Sequence, residues 1–561
     1  MEVFLGIDLG TTTTLVGSAI EGDKAISVRV LPIRQDKIEL LYLPSVAYFP
    51  LDRDPLVGLA ARALGTGYDP SRYVRAVKRQ MGRRILLPVV EREPYEVSSL
   101  YLAYALREAR HRLPVADTVF TATVPASFTT NQRADTLLAL RKACDEVGLS
   151  YPKQDEGELF ISEPVAAMLA FLNQELARPA PVRRLDLSDT RRIVVYDIGG
   201  GTLDLTMVFV EPQNVPVQSL ADLRVHVDTI GYYNPFGGED FDLALAKKVL
   251  HPRLLEENPE LREVVLTPNQ RLGVRLQLMI VAQGIKEKLS EQMRKQADAG
   301  FLPDSSEESS LYYTGKVRIP QEQEMYSLEG EITEADYREC VGNLLTNDSR
   351  KSLVTPLRDL LHKTRFDPAD LDGLLIVGGM GRLPLVTETV KAYWGNDRAW
   401  VFDPPDHAVV TGAAIYSYLR RRYPDFDLEE PAADGYYVRL KEKFDLILPT
   451  RAKEGEQREY KLPTDADRII LQIFAGEEPE GGQAIETIYP TLIHQGGTTI
   501  DLKREYPKNT PVWVQMRYVG DDSSKQDHSK VPWIYVWVEN NQGEPLFRLR
   551  YSELVKEVRR E

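Results

Sequence analysis

Twice in this chain an apolar run reaches an aspartate and one further apolar residue, then passes into glycine and threonine. VFLGIDLGTTTT (Val3–Thr14) is the first occurrence and IVVYDIGGGTLDL (Ile193–Leu205) is the second. Gly10, Gly199, Gly200 and Gly201 let backbone N–H groups approach an anion with no Cβ in the way. The hydroxyls of Thr11, Thr12, Thr13 and Thr202 add donors beside them. Asp8 and Asp197 leave their runs just before the turns, where two carboxylates can hold a Mg²⁺ that keeps most of its waters. One such turn alone is an ordinary tight bend. Two of one kind predict two similar subdomains, each offering a hairpin loop to a triphosphate in the cleft between them. A third glycine segment, GGMGRLP (Gly378–Pro384), also follows an apolar run. The Walker sequence Gly-x-x-x-x-Gly-Lys-Ser/Thr is absent, which argues against a P-loop enzyme.

Around these turns, short β-type runs alternate with longer helical stretches. Val3–Ile7, Val119–Val124, Arg192–Asp197, Leu205–Val210 and Leu374–Val377 read as strands, and Arg133–Glu146 and Leu272–Leu289 as amphipathic helices. That is an α/β plan with ligand loops at strand ends. Ala177–Arg192 reads as a surface loop, and the polar Gln292–Leu328 as a second, partly mobile insertion. The acidic, proline-containing stretch 423–434 reads as a linker between residues 1–422 and 435–561. Beyond it come β-type runs, Arg468–Phe474, Ala484–Ile493, Pro511–Val519, Trp533–Glu539 and Leu546–Tyr551. Turns are expected at Gly481-Gly482, Gly496-Gly497, Asp521–Ser524 and Asn540–Gly543. The expected product is a small all-β sandwich of roughly 120 residues.

Composition narrows the setting. A net charge of −15 argues against a nucleic-acid or anionic-membrane partner. No apolar run reaches membrane-spanning length, the N-terminus lacks a secretory pattern, and the two cysteines, Cys144 and Cys340, lack metal-ligand spacing. A cytoplasmic protein with buried thiols is expected. In the basic cluster Lys78, Arg79, Arg83, Arg84, the two outer arginines read as a solvated face.

Further segments fall in one family's order: RAVKRQMGRR (Arg75–Arg84), TVPASFTTNQR (Thr123–Arg133), ISEPVAA (Ile161–Ala167), GGEDFD (Gly237–Asp242), GGMGRLP and PDHAVVTGAA (Pro405–Ala414). With the two aspartate turns, residues 1–422 resemble the ATPase domain of the DnaK-type 70-kDa heat-shock chaperones, within the actin-like superfamily. The resemblance implies a two-lobed, ribonuclease H-like ATPase domain that binds ATP or ADP with Mg²⁺ and hydrolyses slowly. It implies that Lys78 reaches the γ-phosphate, that Asp8 and Asp197 hold the metal through water, and that Glu163 and Asp204 orient water or metal ligands, with Thr202 beside them. Gly238 and Glu239 would face the nucleotide. Gly378, Gly379 and Arg382 would lie against the nucleoside, Asp406 beside it, and Lys286 and Ser290 on the ribose and base. The chain departs from the family at Glu287, where an adenine-stacking arginine is usual, and at Gln283, where a ribose-binding glutamate is usual. Altered nucleotide affinity is expected, with ATP still the ligand.

The β-domain resembles the family's peptide-binding β-subdomain in LILPTRAKEGEQREYKLPTDADRIILQIFAGE (Leu446–Glu477) and WIYVWVENNQGEPLFRLRY (Trp533–Tyr551). An unfolded peptide or a dedicated protein client is the implied partner. The residues after Tyr551 leave room for only a short charged helix, so a lidless form is expected. In the acidic linker only Phe426 and Leu428 could dock. Leu159 stands where the family uses an arginine for J-domain partners, which implies a divergent co-chaperone or exchange factor. Two function classes follow: a nucleotide-gated chaperone, or an ATP-gated scaffold or filament-forming actin relative with one dedicated partner. A small-molecule kinase is weaker, since no sugar site is evident.

Overall fold

The computed structural model describes residues 2–22, 25–83, 85–113, 118–128, 130–149, 159–231, 234–298, 309–349, 351–423, 426, 428–429, 435–440, 443–448, 458–462, 464–476, 493–517, 533–538 and 547–550. The chain divides into a larger unit, Met1–Ser127, Asp135–Pro152 and Ile161–Glu429, and a smaller one, Phe128–Ala134, Lys153–Phe160 and Glu430–Glu561.

Two sheets of the same plan organise the larger unit. In the first, Val3–Leu9 pairs antiparallel with Thr13–Ile20, which pairs with Ser27–Val30, while Thr118–Val124 runs parallel on its other side. In the second, Arg191–Ile198 pairs antiparallel with Leu203–Pro212, which pairs with Leu223–Ile230, while Gly373–Val377 runs parallel on its other side. Parallel neighbours need long crossovers, and both sheets obtain theirs from helical segments. The strand Gly373–Val377 is buried along its whole length, as expected for a parallel strand covered on both faces.

The helices Glu163–Ala177 and Ala408–Arg422 pack on one another, and their apolar residues join both sheets in one core containing Phe4, Ile193, Phe171 and Ile415. A second core, with Tyr196, Phe241, Leu278 and Tyr337, lies on the other side of the second sheet. Each strand expected in the larger unit is present within a few residues of its expected ends. Cys144 and Cys340 are buried and unpaired, as expected.

Two expectations need correction. Gln292–Leu328 is not a polar insertion throughout. The helix Pro268–Asp298 continues into it, and Ser310–Arg318 pairs antiparallel with Met325–Thr333; residues 299–308 lie outside the described ones. The physical reason is a period-two pattern hidden among polar residues, with Tyr313, Val317, Tyr326, Leu328 and Ile332 all buried on one face. In the smaller unit, Gly496-Gly497 is not a turn. Both glycines lie within Ile493–Tyr506 and face Ile473 and Gln472 across the ladder.

Of the stretch read as a linker, Leu428–Glu429 adds a parallel edge strand to Leu223–Ile230, and Phe426 and Leu428 pack on the larger unit's core. Among its described residues the smaller unit has two four-stranded sheets. One contains Gly435–Leu440, Lys443–Leu448, Ala466–Gly476 and Ile493–Tyr506, the other Arg458–Lys461, Pro511–Arg517, Trp533–Val538 and Phe547–Arg550. Every described pairing in it is antiparallel. Residues 484–492, the expected turns at Gly481-Gly482, Asp521–Ser524 and Asn540–Gly543, and the short helix after Tyr551 lie outside the described residues.

Candidate functional site

The two aspartate turns close with the same hydrogen bond. Gly10 N–H donates to Thr13 O at 3.0 Å, and Gly199 N–H donates to Thr202 O at 2.9 Å. Each hairpin spaces its facing pair equally: Asp8 faces Leu15, and Asp197 faces Asp204. The loops then meet. A Cβ on Gly200 would fall on Thr12 Oγ1, and one on Gly201 would lie 2.7 Å from Thr11 Cγ2. Only glycine allows backbones so close to a facing side chain.

Neighbouring elements hold these loops. The N–H groups of Gly238 and Glu239, opening the helix Gly238–Leu245, donate to Gly199 O at 3.1 Å and Gly200 O at 2.7 Å. Arg79 donates to the Gly201 carbonyl, and Glu239 is ion-paired with Arg75 and lies 4.0 Å from Arg79. Ser45 N–H donates to Thr12 O at 2.8 Å. Gly378 adopts φ +87°, in the left-handed region, and a Cβ there would lie 2.5 Å from Asp197 Oδ1. The third glycine segment therefore abuts the second hairpin.

Lys78 sits among the acids. It lies in a short helical turn, Val77–Gln80, is 6% exposed, and forms an ion pair with Glu163, the first residue of the helix Glu163–Ala177. Burial opposes its charge, but Glu163, Asp8 and Asp204 more than offset this, and its pKa lies above the ordinary value. Burial, then the charge of Glu163, pushes Asp8 up to about 7, against Lys78 and a 3.1 Å hydrogen bond from Thr123 Oγ1. Asp204 is likewise pushed to about 7 by burial and Glu163. Asp197 is raised by burial and then by Glu163, Asp204 and Asp8. Four carboxylates thus surround one lysine, an arrangement that keeps a large electrostatic demand for a cation. Among the described residues, no three His, Cys, Asp or Glu side chains form a ligand cage. The donor set suits a hard, hydrated cation whose other ligands are water and phosphate oxygens.

Every residue named from the sequence as a candidate, except Asp204, lines one cavity of about 590 Å³, a size usual for small-molecule sites. Asp204 lies across the hairpin from Asp197. Gly379, with no neighbour near its Cβ position, also lines this cavity. Lys286 is buried and committed, with Nζ 2.7 Å from Asp242 Oδ1 and 3.1 Å from Gly238 O. Burial raises Asp242, and Lys286 opposes that rise. Ser290 Oγ donates to Arg382 O at 2.7 Å, and Arg382 Nε donates to Asp406 Oδ1 at 2.7 Å, which fixes the plane of the guanidinium. Sequence reasoning passed over Arg75, Arg79 and Thr123. Arg75 and Arg79 stood in RAVKRQMGRR beside Lys78, and Thr123 opened TVPASFTTNQR, so each had a signal. Arg83 is exposed as expected, and Arg84 lies outside the described residues.

Paired glycine hairpins, one from each of two like-built α/β halves and closing on an acidic cavity, define an actin-like nucleotide-binding fold. The pattern of the Hsp70 protein family matches residues 93–422, more than half of the chain. The chain belongs to the Hsp70 family: it is a nucleotide-binding, chaperone-like protein of a family whose members are ATPases. The match begins beyond Asp8 and Lys78, so those two residues rest on the geometry described above.

Proposed function

We propose that this chain binds Mg–ATP between its two aspartate hairpins and hydrolyses it slowly to ADP and phosphate. The observation that carries the reading is Lys78 buried among Asp8, Glu163, Asp197 and Asp204, where the hairpins meet. Gly10–Thr13 and Gly199–Thr202 would cradle the phosphates, and Asp8 and Asp197 would hold Mg²⁺ through water. The bound metal would neutralise phosphate charge. Lys78 would bind the γ-phosphoryl oxygens and help position the attacking water, with Glu163 holding the lysine in place. Phosphoryl transfer depends mostly on such positioning and neutralisation. Gly378, Gly379, Arg382 and Asp406 would border the nucleoside, with Lys286 and Ser290 supporting that wall.

Residues 1–422 would form the ATPase domain and 435–561 a β-sandwich that binds an unfolded peptide or a dedicated client, joined by 423–434. Nucleotide state would gate that binding, through differential affinity for two states of the protein. The cytoplasm is the proposed setting; no helix among the described residues is long and apolar enough to cross a membrane. A divergent co-chaperone or exchange factor fits the buried Leu159.

Steady-state ATP turnover of wild type, Lys78→Ala and Asp8→Asn tests the catalytic part. Loss of one such electrostatic group should cost about 3 kcal/mol, near a hundredfold in rate, and equal turnover in all three proteins would refute it. Peptide binding with and without ATP tests the gating. Absence of any nucleotide effect, or ATP-dependent light scattering from polymers, would favour the scaffold or filament reading instead.

A further inference from the structure

The cavity has two chemically different ends. At one end the aspartate hairpins converge on Lys78, and the other is walled by Tyr42, Arg62, Gln283, Glu287 and Arg382. That second end is braced. Gln35, only 5% exposed, donates Nε2 to the Tyr42 carbonyl at 3.0 Å and accepts the Leu59 N–H at 3.0 Å. One buried amide therefore fixes both Tyr42 and the helix Gly58–Gly65, which carries Arg62. Arg62 donates to Gln283 Oε1 at 2.7 Å, and Gln283 Nε2 donates to Glu287 Oε1 at 2.7 Å. Gln283 and Glu287 are four residues apart on one helix face. The relay runs in one direction, from guanidinium through amide to carboxylate. It engages one oxygen of Glu287 and leaves Oε2 with no protein partner among the described residues. Tyr42, Arg62, Glu287 and Asp406 line the same cavity, and the charges of Glu287, Arg62 and Asp406 all reach the Tyr42 hydroxyl.

We propose that Glu287 reads the base of the bound nucleotide, its Oε2 accepting the exocyclic amino group of an adenine that lies against Tyr42. The inference rests on the nucleotide reading above: phosphates held at the glycine hairpins direct the nucleoside toward the far end. An ionised carboxylate only accepts hydrogen bonds, so it favours a base edge with a donor and disfavours a carbonyl. With Oε1 held by Gln283, a single acceptor faces the base. That suits one amino group better than the paired N–H donors of guanine.

The test is calorimetric titration of the full chain, with Mg²⁺, by ATP, GTP, purine riboside triphosphate (hydrogen in place of the amino group) and inorganic tripolyphosphate. Wild type should bind ATP at least about tenfold tighter than purine riboside triphosphate, the size of one hydrogen bond to a charged acceptor. Glu287→Ala should bring that ratio close to one. A wild-type ratio near one, a ratio that survives Glu287→Ala, or tighter binding of GTP than ATP would overturn the assignment while leaving the phosphate site standing. Failure of wild type to bind either ATP or tripolyphosphate would overturn the assignment together with the nucleotide reading.

Discussion

Raising the pH from 6 to 8 should destabilise the nucleotide-free protein, because the folded site holds protons that the unfolded chain has released. Asp8 and Asp204 are each pushed from an ordinary 3.8 to about 7. A raised carboxyl pKa contributes stability that is complete below the unfolded value and is lost as pH climbs through the folded one. For a single group with a folded value near 7, linkage gives a loss of about 1.4 kcal/mol between pH 6 and 8. The two together give somewhat under 3 kcal/mol, against a total stability on the order of 10 kcal/mol. Burial lowers the pKa of His407, which acts with the opposite sign, but its contribution lies mainly below its ordinary value of 6.5. The assay is urea unfolding at several pH values, followed by tryptophan fluorescence, for wild type and Asp204→Asn. The variant cannot ionise at that position, so its stability should fall by about 1.4 kcal/mol less across the same interval. Stability that rises from pH 6 to 8, or identical slopes in the two proteins, would refute the reasoning.

Two other changes probe the same region. Gly200→Ala would drive a methyl group onto Thr12 Oγ1; it should cost about 1–3 kcal/mol of stability and weaken ATP binding, and unchanged calorimetry and melting would contradict the close approach of the loops. Lys78→Met strands Glu163 among other acids and should cost about 3 kcal/mol at pH 8; adding Glu163→Gln should recover part of that loss, and strictly additive effects in the cycle would show that the two residues are not coupled.

Much of the fold was legible because its signals are local. Apolar runs ending in Asp-x-Gly marked strands entering hairpins, and the two runs do build matching sheets. Most candidate residues far apart in sequence line one cavity because they followed a strand end or stood at a helix start, where an α/β fold gathers its loops, while Lys286 and Ser290 reach it from inside the helix Pro268–Asp298. The hairpin Ser310–Arg318 with Met325–Thr333 escaped notice since its inward residues alternate with Glu, Ser and Lys, so that average polarity hid the period. Gly496 and Gly497 misled for the opposite reason, as glycine marks turns only statistically and a strand tolerates it. The relay from Arg62 through Gln283 to Glu287 was illegible because it joins a short helix to a distant long one, and no spacing in the sequence encodes that pairing. Arg79 was visible as a basic neighbour of Lys78, but its bond to the Gly201 carbonyl depends on how the two halves meet.

The central claim is that Asp8 and Asp197, from two like-built hairpins, serve one metal-bound triphosphate. Calorimetry of ATP binding to wild type, Asp8→Asn and Asp197→Asn, each with Mg²⁺ and with Mg²⁺ chelated, addresses it most directly. Wild type should bind at least about tenfold tighter with Mg²⁺, and each asparagine variant should lose most of that advantage. Equal affinity with and without the metal in wild type, or full Mg²⁺ dependence in both variants, would contradict it.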